Sequence, residues 1–327
     1  MHGTGASIEF RHDRFVCPIS CHRHIRTIVT SPQSNMGGIA WALVAVGLFA
    51  LTYLAGKLVP GASALEIMWL RYVGGLVTVA VWMLSTGRTH QVGTSQIHLH
   101  VLRAAAGGGT GTAAIYAASH MPVADATAIG LLDGFFTIVL GVLVHREVVS
   151  LRHWGAALLC LLGAAIVVAG KGAVLRLDGD TLVPASVALG GAMLAAIEYI
   201  LIKGLARSET TISVLFHVNL FGTLLLALPA LASWSGQPWP YLAFFLSLGP
   251  IAILAQTCNI RALRFTDAAV IGPVRYTWIV FGALYGLLFF GEWPGLATYV
   301  GGAVILAGGL WLGSLKRPGS APRRGGG

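Results

Sequence analysis

The chain has 327 residues, of which 56% are hydrophobic and only 10% charged, and its mean hydropathy is +0.77. Soluble domains carry about 25% charged residues, so a soluble fold is excluded, and this apolar content also excludes disorder for the bulk of the chain. The net charge of +9 comes from basic residues scattered singly between apolar runs, which is no footprint for a nucleic acid.

The first segment, residues 1–36, is a polar and basic tail without the apolar core of a signal peptide. It holds Cys17, Cys21, His22 and His24, too crowded for the two separated ligand pairs of a zinc site, so no metal is expected. Met36 directly precedes the first apolar run, which makes it a candidate biological start, with residues 1–35 upstream of it.

From there, apolar runs long enough to cross a bilayer follow one another at about 39–58, 64–85, 99–119, 124–144, 154–170, 184–203, 211–233, 240–262, 268–290 and 295–314. Pro60-Gly61, Met121-Pro122, Pro184, Gln237-Pro238 and Trp293-Pro294 punctuate them. Runs this continuously apolar are helices, since barrel strands alternate apolar and polar residues. The expected fold class is therefore an all-α polytopic membrane protein of ten transmembrane helices. With the N-terminus inside, Arg88, Arg146, Arg152, Lys203, Arg207, Arg261, Arg264 and the basic tail at 315–327 fall on the cytoplasmic side. The bias of basic loops then puts both termini in the cytoplasm.

Two stretches match within the chain. Asp125 opens DATAIGLLD and Asp267 opens DAAVIGPVR, in the fourth and ninth runs. A Glu followed by a Gly-rich run also recurs, after Glu147 and after Glu292. A repeat of five helices inserts its second copy upside down, a recurrent transporter plan with the substrate site at the midplane. The division expected is residues 37–172 and 184–314 as the two copies, with a linker at 173–183.

LEIMWLRYVGGL, PVADATAI, GLLFFGEWP and the two Glu-then-Gly-rich runs resemble the EamA-type family of the drug/metabolite transporter superfamily, over about residues 37–314. The resemblance implies a ten-helix secondary transporter, two inverted five-helix units, and a central cavity lined mainly by the first four helices of each. One departure is Asp133-Gly134, where such transporters commonly carry a small residue followed by Pro.

Charges at membrane depth are costly and mark cavities or partners. Arg71, Asp133, Glu198 and Arg275 are four such residues. Asp133 and Arg275 occupy equivalent positions in the two copies, roughly 14 Å and 12 Å from opposite helix ends, hence near the midplane. They either hold the two charges of a zwitterionic substrate or form a permanent ion pair. Glu198, about 9 Å from its helix end, is a candidate proton carrier or a partner of Lys203 or Arg207. Arg71, about 10 Å deep, is able to attract an anion or to reach the interface. Tyr72, Tyr116, Tyr199, Tyr276 and Trp278 are candidate cavity aromatics, and Gln256 a candidate hydrogen-bonding residue. His217 reads as a hydrogen-bonded packing residue, and Cys160 and Cys258 as small packing residues. GGGTGT at Gly107–Thr112 lacks the Lys-Ser/Thr of a nucleotide loop and suits close helix packing instead.

The function expected is secondary active transport of a small metabolite, amino-acid-like, nucleoside-like or drug-like, across an inner or plasma membrane. Alternating access would be proton-coupled or facilitative, with no cofactor. The alternative is a flippase for lipids or lipid precursors. An intramembrane enzyme is disfavoured, because no HExxH or G-x-S-x-G occurs, and a primary pump because no P-loop does. Its partners would be the substrate, the lipid bilayer and protons, and no nucleic acid.

Overall fold

The computed structural model describes residues 32–145, 151–170, 179–265 and 274–314. The tail cysteines, Glu147 and the Asp267 motif lie outside the described residues. All regular structure among the described residues is helical. In chain order it runs α1 (Pro32–Tyr53), α2 (Ala55–Leu58), α3 (Ala64–Ser85), a 3-10 turn at Thr89–Val92, α4 (Ile97–His120), α5 (Val123–Gly130) and α6 (Asp133–His145). It continues with α7 (Leu151–Gly170), α8 (Gly179–Ser208), α9 (Thr211–Ala232), α10 (Trp239–Phe265), α11 (Trp278–Phe290) and α12 (Leu296–Ser314).

Five described helices are long and apolar enough to cross a membrane: Met36–Leu58, Ala64–Ser85, Leu182–Ala206, Thr211–Ala232 and Trp239–Arg264. Trp278–Phe290 and Leu296–Gly308 are apolar but shorter. The apolar runs at 124–144 and 268–290 are expected as continuous helices; in the structure both are interrupted. The first breaks at Leu131–Leu132, between α5 and α6, and the second at Tyr276–Thr277, just before α11. Conversely, Pro184 does not end a helix; α8 begins at Gly179 and passes through it. A proline this near a helix start removes few intrahelical bonds. The turn after α2 is made by Gly61, whose φ of +84° suits only a residue without a Cβ.

The helices pack in matched pairs. α4 lies against α8 and α1 against α10; α3 packs on both α9 and α10, and α4 on α9. α5 meets α11, and α7 lies along α12. Small residues make the tightest crossing. A Cβ on Gly249 would collide with the backbone of Gly74 and Gly75, and one on Gly74 with the carbonyl of Leu246. With the next residue, Pro250, inside α10, this crossing brings α3 and α10 to backbone contact.

Two sets of polar ties close the ends. At one end Lys57 pairs with Glu292 and donates to the Met121 carbonyl at 3.2 Å. Glu292 also accepts from the backbone N–H of Val123, an otherwise unsatisfied donor at the start of α5. Nearby, Glu66 accepts from the backbone N–H of Ser235 at 3.0 Å and from its hydroxyl. At the other end Thr94 donates to Glu209 at 2.7 Å, Thr210 to the Gln91 carbonyl at 2.8 Å, and Arg264 to the Glu209 carbonyl at 2.9 Å.

Candidate functional site

Between these ends lies a cavity of about 200 Å3, lined by α1, α3, α4, α5, α8, α9, α10 and α11 together with the breaks before α6 and α11. Of the residues expected from the sequence, Arg71, Tyr72, Asp133, Glu198, Tyr199, Gln256, Arg275 and Trp278 all line it. Two do not. Tyr116 stacks on His120 at 4.1 Å, one turn along α4 and outside the cavity. Tyr276 is buried against Ala128, Leu131, Leu132, Ala192 and Ile305, a packing position. Its hydroxyl lies where a Cβ on residue 134 would stand, so Gly134 makes room for it.

Arg275 donates to the Asp133 carboxylate, and the pair joins the two helix breaks. Asp133 is the first residue of α6, where a negative charge is favoured by the helix dipole. Its side chain is 9% exposed and that of Arg275 28%, so the pair borders the cavity without filling it. The Arg275 guanidinium also lies over the Tyr199 ring at 4.7 Å. Interrupted helices are a recurring device for presenting polar groups inside a membrane protein.

The other two charges are arranged differently. Arg71 is buried, donates to the Thr52 hydroxyl at 3.2 Å and lies over the rings of Tyr53 and Tyr72 at 5.5 and 5.8 Å. Glu66, five residues away, is engaged with Ser235 instead. Glu198 rests against α4, with its Oε1 3.0 Å from where a Cβ on Gly107 would stand. Among the described residues, neither Arg71 nor Glu198 has an ion-pair partner. Lys203, five residues on from Glu198, is not at the helical spacing that would bring the two together.

Charge and depth in the sequence pass over several lining groups. Tyr53 stacks on Trp278 at 5.6 Å and Phe49 on the same indole at 6.3 Å, forming an aromatic wall. Thr110, Thr127, Asn219 and Asn259 add neutral polar groups. A single Asn within an apolar run such as Val218-Asn219-Leu220 is a readable signal, since an amide in a span needs a reason as a charge does.

Behind the cavity is a second polar cluster. Arg103, on α4, is fully buried; it donates to the Val214 carbonyl at 3.2 Å and to Gln256 at 3.3 Å, and its Nε has no hydrogen-bond partner among the described residues. His217 bonds through Nδ1 to the Ser213 carbonyl at 2.9 Å and stacks on His100 at 4.7 Å. Among the described residues, both ring nitrogens of His100 lack hydrogen-bond partners. Cys258 is buried as a packing residue. No group of residues suited to hold a metal occurs among the described residues.

The sequence pattern of the EamA-like transporter family matches residues 36–169 and again 183–314. The chain belongs to the EamA-like transporter family. Similar proteins include the pseudopaline exporter CntI of Pseudomonas aeruginosa, 29% identical over 62% of this chain and 70% of that protein. A riboflavin transporter of Brucella anthropi is 25% identical over 75% of this chain and 88% of its own length. The mouse solute carrier family 35 member G1 is 24% identical over 82% and 76%. A crystal structure superposes with a TM-score of 0.59 at 19% identity, covering 85% of this chain and 95% of the other, which shows a shared fold. This family member is thus an integral membrane protein whose relatives are transporters of small molecules.

Proposed function

We propose that the protein is a secondary transporter that moves a small metabolite through the central cavity by alternating access. Ten spans in two inverted five-helix units, both termini cytoplasmic, at an inner or plasma membrane, make up the arrangement. The paired packing of α4 on α8 with α1 on α10 supports an inverted repeat, because each contact is the other shifted by one copy. The observation that carries the reading is the cavity itself: Arg71, Glu198, Asp133 and Arg275 surround one space among largely apolar helices, where charges persist only for a reason. Tyr72, Trp278 and Gln256 complete the substrate-facing set. The polar ties at the two ends form the gates, of which one must open in each half-cycle.

Purified protein in proteoliposomes, assayed for uptake and efflux of riboflavin, amino acids, nucleosides and opine-type metal chelators, tests this. Transport of at least one compound, lost on adding a large side chain at Gly130 in the lining, is expected. Failure of every compound to cross in either direction sinks the reading. The same assay with an imposed pH gradient separates proton-coupled from facilitative movement: transport insensitive to the gradient refutes proton coupling.

A further inference from the structure

His100, His217 and Arg103 meet outside the cavity, where α4 packs on α9. His100 and Arg103 are three residues apart on α4 and so share a face. They meet His217 and Val214, likewise three apart, on α9. The two imidazole rings stack at 4.7 Å with 30° between their planes. The Ser213 carbonyl lies 2.9 Å from Nδ1 of His217, so that nitrogen carries a proton and the ring is held in place. His100 is 0% exposed, and neither of its nitrogens has a hydrogen-bond partner among the described residues. The ionisable groups within its electrostatic reach are His217 on α9, Arg103 on α4 and Glu209 in the turn between α8 and α9. Of these, Glu209 is the acid, and it is engaged by the Thr94 hydroxyl. The same patch carries the ties of one end: Ser213 donates to the Val92 carbonyl at 3.3 Å and Thr210 to that of Gln91 at 2.8 Å.

We propose that the stack of His100 on His217 is a proton-sensitive latch, which holds α4 against α9 while His100 is neutral and releases that end when His100 takes a proton. This rests on the reading of the polar ties at that end as a gate. A buried charge is costly unless it is paired and hydrogen-bonded. In the closed contact a protonated His100 meets an aromatic ring on one side and the Arg103 guanidinium one turn away on its own helix. Parting α4 from α9 lets water reach the ring and satisfy both of its N–H groups. The open form therefore holds one proton more than the closed form, and acid favours it by linkage. Arg103 carries the movement inward, because it bonds both the Val214 carbonyl on α9 and Gln256, which lines the cavity. Separation of the helices at His100 thus loosens a bond to the cavity wall.

The test is hydrogen exchange of the full chain in nanodiscs, followed by mass spectrometry, at about pH 7.5 and about pH 5, on either side of the range in which histidine titrates. Each rate is divided by the intrinsic rate at that pH. Peptides covering residues 92–103 and 210–219 report on the latch, and those covering 72–78, at the backbone crossing of α3 and α10, serve as the reference. Normalised exchange at the latch is expected to rise roughly tenfold or more in acid, about 1.4 kcal/mol per tenfold, with the reference unchanged. His100→Phe keeps the stack and cannot charge; His100→Gln stays polar and cannot charge. Both are expected to abolish the rise, and one that folds suffices for the comparison. A merely structural His100 would alter exchange in these variants at both pH values and leave its pH dependence in place. No rise in the unmodified protein, a rise that extends to the reference, or one that persists in either variant overturns the proposal. If the latch opens in acid while no compound crosses the proteoliposome membrane, the transport reading fails and the latch stands. If compounds cross while exchange ignores pH, the latch fails and transport stands.

Discussion

Arg275 stands at the end of a helical stretch just before one break, and its guanidinium reaches Asp133, the first residue after the other break. The two interrupted helices are thus tied by these side chains beside the points where the helices break. Removing one partner strands the other charge in a largely water-free setting. Asp133→Ala and Arg275→Ala are each expected to cost about 3 kcal/mol, at the low end for a buried pair because Arg275 is partly exposed. The reciprocal swap, Asp133→Arg with Arg275→Asp, recovers most of that loss. It stays short of the original by about 0.3–1 kcal/mol, because a cation then sits at the N-terminus of α6. Thermal unfolding in detergent measures both. A swapped protein no more stable than the single variants would show that the pair does not act as a lock.

The tie at the Lys57 end is asymmetric. Lys57 contributes a partly exposed ion pair and one bond to the Met121 carbonyl, whereas Glu292 also satisfies the Val123 N–H at the start of α5. Glu292→Ala is therefore expected to destabilise more than Lys57→Ala. The exposed pair is worth about 0–1 kcal/mol, and loss of a helix-start acceptor adds about 1 kcal/mol. Unfolding curves for the two variants give the order, and equal losses would mean that the capping bond contributes nothing.

At the crossing of α3 and α10 the backbones touch, so volume rather than polarity governs. Gly249→Val is expected to destabilise by several kcal/mol or to prevent folding, since the obstacle is the Gly74 backbone and not a side chain that can turn away. Gly190→Val, on the same bundle with open space at its Cβ position, is the matched control and is expected to change stability little. Size-exclusion profiles of the two variants suffice to check this.

His100 offers the opposite sign. Both its nitrogens are buried without a partner, and its ring stacks on His217. A phenyl ring keeps the stack and removes the unmet hydrogen bonds. His100→Phe is expected to raise stability by about 1–2 kcal/mol, read as a higher unfolding temperature. A fall would mean that His100 is hydrogen-bonded in the membrane, through water or by a shift of Arg103.

The α-helical class and the resemblance to the EamA-type family were readable in the composition and the loose motifs. Four charges inside apolar runs were readable too, and Arg71, Asp133, Glu198 and Arg275 all line the cavity. Those charges are legible one by one because a charge in an apolar run is expensive wherever the helix goes. The neutral lining is less so. Thr110 and Tyr53 carry no such cost, and a Tyr in a span serves packing as readily as a ligand; Tyr276 packs and Tyr53 lines.

What the sequence determined by itself was the chemistry available at depth, since hydropathy and charge are local properties of a segment. Partner choice was left to the tertiary structure. Asp133 meets Arg275 while Arg71 and Glu198 stay apart, because pairing depends on where two helices break and on which glycines let a neighbour approach. The breaks themselves lie in runs whose apolar composition is continuous. Gly130, Gly134 and the Gly272-Pro273 pair lower the local helix propensity beside both breaks, and the packing of α5 and α6 against α8 and of α11 against α5 accompanies them.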